Sequence, residues 1–251
     1  MLYKGRVSML ELKNVSFGVE DEKGAKEILT NINLTIDDRK FVVITGPNGG
    51  GKSTLAKVVA GIEKPTSGQI LFDGQDITNW SITDRARAGI SYAFQQPVRF
   101  KGITVNDLVR LAAGDDKLST NGVCKYLSEV GLCAADYVHR EVDASLSGGE
   151  LKRIEIATLI ARRNTKLALF DEPEAGIDLW SFHKLIRVFE KMHDEHRSIL
   201  IISHQERILN IADEIVLIAD GQVKKTGTKD VVLPELMEVA GKCDLFKEDE
   251  K

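Results

Sequence analysis

Residues 46–53 combine four glycines with one lysine and one serine, directly after the apolar run 41–44. Glycines in such a loop let backbone N–H groups close around an anion that Cβ atoms would obstruct. The lysine can then reach the β- and γ-phosphates of a nucleotide, and the serine hydroxyl is placed for Mg²⁺. The segment fits the pattern G-x-x-x-x-G-K-[ST] and predicts a nucleoside triphosphate site formed by Gly46, Pro47, Asn48, Gly49, Gly50, Gly51, Lys52, Ser53 and the following Thr54.

Two acidic residues follow another apolar run, 167–170. An Asp-Glu pair after a strand is by itself often a helix cap. With a phosphate-binding loop upstream, the pair instead indicates hydrolysis chemistry. Asp171 would hold Mg²⁺, directly or through a water, and Glu172 would orient the attacking water as a general base.

A second anion-binding design lies between these motifs, at Leu146-Ser147-Gly148-Gly149-Glu150. This segment opens a predicted helix, whose first turn leaves backbone N–H groups free. Gln95 follows the predicted strand 90–94, and His204 follows the apolar run 201–202 and Ser203. Taken singly, a glutamine in a turn is an ordinary polar residue, and a strand-end histidine is an ordinary backbone partner.

In their order along residues 10–227, these motifs resemble the ATP-binding cassette (ABC) ATPases, whose signature is LSGGQ. The resemblance implies ATP and Mg²⁺ as cofactors and an ATP-dependent homodimer arranged head to tail. Each ATP would lie between the phosphate loop of one subunit and Ser147, Gly148, Gly149 and Glu150 of the other. It further implies that Gln95 senses Mg²⁺ and the γ-phosphate, that His204 holds the γ-phosphate and the water, and that Asp178 communicates across the interface.

The sequence departs from the family pattern at several positions. Val19 stands where most members stack an aromatic ring on adenine, so Phe17 or Tyr3 becomes the next candidate to contact the base. Glu150 replaces the usual glutamine, and Glu174 occupies a position that transporter ATPases usually give to threonine. These departures, together with residues 94–98, resemble the SufC family, the ATPases of the Suf iron-sulfur cluster assembly machinery.

Two partners therefore remain open. Pro173 agrees with transporter ATPases, so the alternative to a soluble iron-sulfur scaffold protein is a transmembrane permease subunit. In either case the resemblance implies that a partner helix docks beside Gln95. The expected groove is lined by Gln96, Pro97, Val98, Arg99, Phe100 and Lys101, unless Phe100 simply packs into the helical lobe.

The elements that must position these residues change character along the chain. Strand signals at 10–17 and 28–36 predict antiparallel strands. Helical spacing dominates from 102 to about 163 and predicts helices at 104–113, 120–130 and 149–162. Continuous apolar strands alternate with helices in the last third, which is typical of a parallel sheet covered on both faces. The predicted fold is α/β: a P-loop NTPase (RecA-like) core with an antiparallel β subdomain and an inserted α-helical subdomain.

We expect one domain over 1–251, with the core at about 1–95 and 164–235, the helical subdomain at about 96–163, and a short charged C-terminal tail.

Net charge, apolar runs and cysteine content restrict the expected ligands and the expected location of the protein. Net charge is −4 and the sequence pI is near 5.8, so nucleic acid is not an expected ligand. No run approaches 18 apolar residues, and three cysteines without a C-x-x-C pair suit a reducing compartment. We expect a cytoplasmic protein, peripheral at the membrane if it serves a transporter. Buried free thiols are the expected state of Cys124 and Cys133, and the role of Cys243 is left open.

Overall fold

The computed structural model describes residues 8–21 and 24–234. The strands are β1 (Ser8–Asp21), β2 (Gly24–Asp37), β3 (Phe41–Thr45), β4 (Ser67–Phe72), β5 (Gln75–Asp76), β6 (Ile90–Ala93), β7 (Leu167–Asp171), β8 (Ser198–Ile202), β9 (Glu214–Ala219) and β10 (Gln222–Gly227). The helices are α1 (Lys52–Ala60), α2 (Ile82–Ala88), α3 (Val105–Ala113), α4 (Thr120–Glu129), α5 (Ala134–Tyr137), α6 (Gly148–Ala161), α7 (Leu179–Asp194) and α8 (Glu206–Asn210).

A six-stranded sheet in the order β10-β9-β3-β8-β7-β6 forms the centre of the molecule. Its strands β9, β3, β8, β7 and β6 run parallel, and β10 pairs with β9 as an antiparallel hairpin. Every residue of β3, β7 and β8 is buried, because helices cover both faces of the sheet. Parallel strands bring their C-terminal ends to one edge, so the segments that follow β3, β6, β7 and β8 meet there.

A second sheet is antiparallel throughout, in the order β2-β1-β4-β5. Buried and exposed residues alternate along the second half of β2, as expected for a sheet with one face on the core. The core beneath it includes Leu10, Ile32, Leu34 and Ile36 of the sheet and Leu55 of α1. The predicted α/β fold with an antiparallel β region is thus confirmed.

Helices α3, α4, α5 and α6 lie between β6 and β7 along the chain. Helix α6 is buried over most of its length, at Leu151, Ile154, Ile156 and Ala157 among others, so it joins the helical region to the sheet in one hydrophobic core. The predicted helices at 104–113, 120–130 and 149–162 are confirmed to within one or two residues. The subdomain boundaries near 96 and 163 remain a prediction.

The prediction for one cysteine was wrong. Cys124 is half-buried as a free thiol, but Cys133 is exposed, because it lies at the N-cap of the short helix α5 on the surface of the helical region. Cys243 and the charged tail lie outside the described residues. Of the helices that the structure describes, none is long and apolar enough to span a bilayer.

Candidate nucleotide site

The loop between β3 and α1 adopts a backbone that only glycine accommodates at two positions. Gly46 has φ 137°, and a Cβ there would lie 1.9 Å from the carbonyl oxygen of Ile218. Gly51 has φ 100° and forms the N-cap of α1. A Cβ on Gly51 would lie 2.8 Å from Leu29 of β2. The glycines thus let the loop curl tightly against β9 and β2 while the N-terminus of α1 faces into it, the arrangement that binds phosphate.

Lys52 lies across the loop with only 6% of its surface exposed. Its Nζ donates to the carbonyl oxygens of Gly46 at 2.7 Å and Pro47 at 2.9 Å. Burial lowers the pKa of Lys52 from its ordinary value, while the nearby carboxylates of Glu172 and Asp171 act against that shift. A phosphate held by the loop would offer this ammonium a charged acceptor in place of two neutral ones.

Asp171 ends β7 and is fully buried. Ser53 donates to its Oδ1 at 3.0 Å, and the Tyr92 hydroxyl donates to its Oδ2 at 3.1 Å. Burial raises the pKa of Asp171, and these two hydrogen bonds favour its ionised form. Sequence reasoning missed Tyr92; the signal available was a tyrosine in the strand that precedes Gln95.

The donor set beside the loop suits a magnesium ion. Ser53 and Asp171 offer a hydroxyl and a carboxylate already in contact, and Mg²⁺ prefers oxygen ligands supplied by one or two side chains together with substrate phosphates and water. Among the residues described, no group of three or more His, Cys, Asp or Glu side chains is placed to hold a metal ion. These residues therefore fit a metal that arrives with a phosphate ligand.

Glu172, Gln95 and His204 lie together at the same edge of the sheet. Gln95 Nε2 donates to Glu172 Oε2 at 2.8 Å, and Glu172 has a left-handed backbone with φ 47°, a strained conformation typical of functional sites. His204 Nδ1 lies 3.4 Å from the Thr45 hydroxyl. Burial and then the Lys52 charge lower the pKa of His204, so the imidazole is neutral at pH 7 and offers one donor and one acceptor.

A single cavity of about 680 Å³ collects most of the predicted phosphate-binding residues. One side of it is formed by the β2 strand and the β9–β10 turn. The lining comprises Asn48, Gly49, Gly50, Gly51, Lys52, Ser53, Thr54, Gln95 and Glu172, together with Lys26, Glu27, Ile28, Asp220 and Gly221, which sequence reasoning missed.

The position predicted for a base-stacking ring lies on the β1–β2 hairpin next to this cavity. Val19 is 39% exposed and pairs with Lys26, which lines the cavity. Phe17 is 93% buried in the core, so it is not free to stack on a base. Tyr3 lies outside the described residues. Among the described residues, the side chains of β1 and β2 next to this cavity are Val19, Lys26, Glu27 and Ile28, and none of them is aromatic.

The signature segment forms the N-terminus of α6 and does not line this cavity. Ser147 is the N-cap, and its N–H donates to Glu150 Oε2 at 2.7 Å while its hydroxyl accepts from the Glu150 N–H at 3.3 Å. The Tyr137 hydroxyl donates to the other Glu150 oxygen. Both Glu150 oxygens are therefore occupied within the subunit. Gly148 faces open space, where a ligand could approach the backbone.

Residues 29–175 match the family described as ABC transporter, and this match covers more than half of the chain. The chain belongs to the ABC transporter family. It is 41% identical over 88% of its length to an uncharacterized ABC transporter ATP-binding protein of Methanocaldococcus jannaschii, of which 91% is covered. It is 34% identical over 90% of its length to a probable ATP-dependent transporter of Antithamnion sp., ycf16, of which 93% is covered. The dimeric structure of a bacterial ABC transporter cassette superposes with TM-score 0.80 at 25% identity, covering 88% of this chain and 99% of that one.

This ABC cassette is an ATPase. Its predicted site residues lie in two separate groups. The first surrounds the phosphate loop. The second comprises residues 147–150 and Asp178. Asp178 accepts hydrogen bonds from the N–H groups of Trp180 at 3.0 Å and Ser181 at 2.9 Å, so it caps α7. The two parts of this second group lie against each other, because a Cβ on Gly149 would lie 2.5 Å from the Gly176 carbonyl oxygen just before this cap.

Proposed function

We propose that this ABC ATPase is a Mg²⁺-dependent subunit that hydrolyses ATP between two copies arranged head to tail and so drives a conformational change in a partner. One observation carries the proposal. The phosphate-loop cavity of one subunit contains no residue of 147–150, although that segment is a helix N-terminus with an open glycine. A second copy would supply it, as the dimeric form of the related cassette suggests.

In this proposal the described residues divide the work of hydrolysis. Lys52 and the loop N–H groups hold the β- and γ-phosphates, and Ser53 and Asp171 hold Mg²⁺ with Gln95 nearby. When bound, Mg²⁺ neutralises phosphate charge that develops during transfer. Glu172 orients the attacking water and takes its proton, and the neutral His204 holds the γ-phosphate and that water. Asp178, capping α7 beside the signature helix, would report ATP binding to the other subunit.

Complementation between two defective variants tests the composite site. Ser147→Asp keeps a good N-cap but places a negative charge against the incoming γ-phosphate, and Lys52→Ala removes the cation from the phosphate loop. Each variant alone should hydrolyse ATP poorly. A mixture should be more active than either, because one of the two sites in the mixed dimer is intact. Wild-type turnover per subunit should also rise with protein concentration until the dimer saturates.

No gain on mixing, combined with constant turnover per subunit far into dilution, would contradict the composite site. A matched control is the mixture of wild type with Lys52→Ala, which measures how much activity a half-intact dimer retains.

A groove beside Gln95 is the proposed docking site for the partner. Val98 is 46% exposed and Phe100 37% exposed, and both border a cavity of about 190 Å³ between the helical region and the sheet. Arg99 and Lys101 flank Phe100 in the sequence. An apolar ring between two cations suits a partner helix with an apolar ridge and acidic flanks. Phe100 lines this cavity together with the apolar residues Leu108 and Leu151. This gives some support to the alternative that Phe100 packs into the helical region.

Two partners fit this groove, and different observations support each. A transmembrane permease subunit is supported by the relatives, which are described as an ABC transporter ATP-binding protein and an ATP-dependent transporter. A soluble iron-sulfur scaffold is supported by the SufC-like residues Val19, Glu150 and Glu174. In the structure, Glu174 is half-buried and accepts a hydrogen bond from Ser203. On the support of the relatives' names, we propose the permease first and keep the scaffold as the alternative.

Affinity capture from the native host distinguishes the two partners. Recovery of a polytopic membrane protein only from detergent-solubilised membranes supports the permease. A soluble scaffold recovered without detergent supports the alternative. In either case Phe100→Asp should reduce recovery at least about tenfold and leave ATP binding unchanged, since an apolar anchor is lost. Ile82→Asp is the matched control, because Ile82 is 48% exposed, much like Val98, but lies on α2 and does not border this cavity. Equal loss with both variants would contradict the groove.

A further inference from the structure

Two side chains of α6 hold the backbone of a single residue, Phe94. Glu155 Oε1 accepts a hydrogen bond from the Phe94 N–H at 2.9 Å, and Lys152 Nζ donates to the Phe94 carbonyl oxygen. Lys152 also donates to the carbonyl oxygens of Gln95 at 3.1 Å and Asp171 at 3.2 Å. Glu155 and Lys152 are three residues apart, so they lie on one face of the helix. The helix that begins with the signature segment is therefore bonded to the residue that precedes Gln95.

Phe94 lies just beyond the end of β6, where the ladder with β7 stops. A backbone N–H that leaves a sheet below the surface must find another acceptor. The Glu155 carboxylate provides it. The next residue, Gln95, then reaches Glu172 Oε2 with its side-chain amide at 2.8 Å. The contacts run from α6 through the Phe94 backbone to Gln95 and the proposed general base.

A buried carboxyl group at position 155 destabilises the fold, which indicates that Glu155 has a role beyond packing. Burial raises the pKa of Glu155 to about 7, and its Oε2 is buried with no hydrogen-bond partner among the described residues. A buried polar atom without a partner is destabilising, and an apolar side chain would fill the same space at lower cost. What an apolar residue would not provide is an acceptor for the Phe94 N–H.

We propose that Glu155 is a positioning residue for hydrolysis: by accepting from the Phe94 N–H it fixes where Gln95 meets Glu172. The inference rests on the roles proposed above for Gln95 and Glu172. Misplacement of a catalytic contact by about 1 Å can cost about 100-fold in rate, so a group that holds the adjoining backbone can affect kcat without touching the nucleotide. Because the acceptor sits on α6, movement of the signature helix would carry Gln95 with it.

The test compares Glu155→Ala with Glu155→Gln in the full chain, measuring kcat, KM for ATP and the dissociation constant for ATP. Glutamine keeps an acceptor oxygen at the same position and alanine does not. Alanine should lower kcat at least about tenfold with ATP affinity within about twofold, and glutamine should stay within about threefold of wild type. Glu129→Ala is the matched control, because Glu129 also has a buried oxygen without a hydrogen bond but lies on α4.

A double-mutant cycle separates positioning from general destabilisation. In a Gln95→Ala background, Glu155→Ala should lower kcat by less than about twofold further, since the group it positions is gone. If Glu155→Ala fails to fold, Glu155→Met takes its place, because it fills the volume and cannot accept the hydrogen bond.

Three results would overturn the inference: an unchanged kcat for the alanine variant, a glutamine variant as defective as alanine, or full additivity with Gln95→Ala. Failure of the roles proposed for Gln95 and Glu172 would give a different result. In that case Gln95→Ala and Glu172→Gln would each retain wild-type turnover in a protein that keeps Glu155.

Discussion

Replacement of Glu172 with glutamine should lower ATP hydrolysis by about 100-fold or more while ATP binding stays near the wild-type value. The substitution removes a base positioned to take a proton from water, which is worth about this factor. It keeps the size of the side chain that meets Gln95 Nε2. Because bound ATP is then not consumed, ATP should also hold two copies together. Single-turnover hydrolysis, ATP titration and sedimentation with and without ATP measure the three quantities.

Glu174→Gln is the matched control for this variant. Glu174 is a half-buried acid three residues beyond the end of β7, and burial raises its pKa, but its side chain is bonded to Ser203 rather than to Gln95. We expect less than a tenfold loss of hydrolysis from it. Normal turnover by Glu172→Gln would reassign the base, with His204 as the next residue to replace.

Replacement of Lys52 with alanine should act at an earlier step, by weakening ATP binding itself. The lysine would exchange two neutral carbonyl acceptors for charged phosphate oxygens, and a hydrogen bond to a charged group contributes about 2 kcal/mol. That energy corresponds to an affinity loss of about 30-fold. Hydrolysis should fall with binding. Calorimetric titration with ATP and Mg²⁺ measures the dissociation constant directly.

Two further variants isolate the charge of Lys52. Lys52→Met keeps most of the buried stem and should weaken binding almost as much as alanine does. Lys57→Ala removes another lysine of the same helix, in its last turn, and should leave binding unchanged. An affinity loss confined to the alanine variant would mean that packing of the stem, and not the ammonium, supports the loop.

The fold class followed from the sequence because its signals are local. Continuous apolar runs before polar turns predicted the buried parallel strands β3, β7 and β8, and helical spacing predicted α3, α4 and α6. Glycine spacing at 46–51 identified the loop, since a backbone with positive φ accepts few other residues. Exposure of single side chains was less predictable, as Cys133 shows, because a residue at a surface N-cap has no periodic signal.

The sequence by itself determined the ATPase class, which residues are expected to bind phosphate, which acids follow β7, and where the signature helix begins. Only the tertiary structure decided how those residues are held. Tyr92 on Asp171, Glu155 on Phe94 and Lys26 beside the cavity depend on strand order and on which helix crosses which strand end. Contacts between residues 61 to 79 positions apart leave no pattern along the chain, whereas a loop that must wrap a phosphate imposes its requirements on consecutive residues.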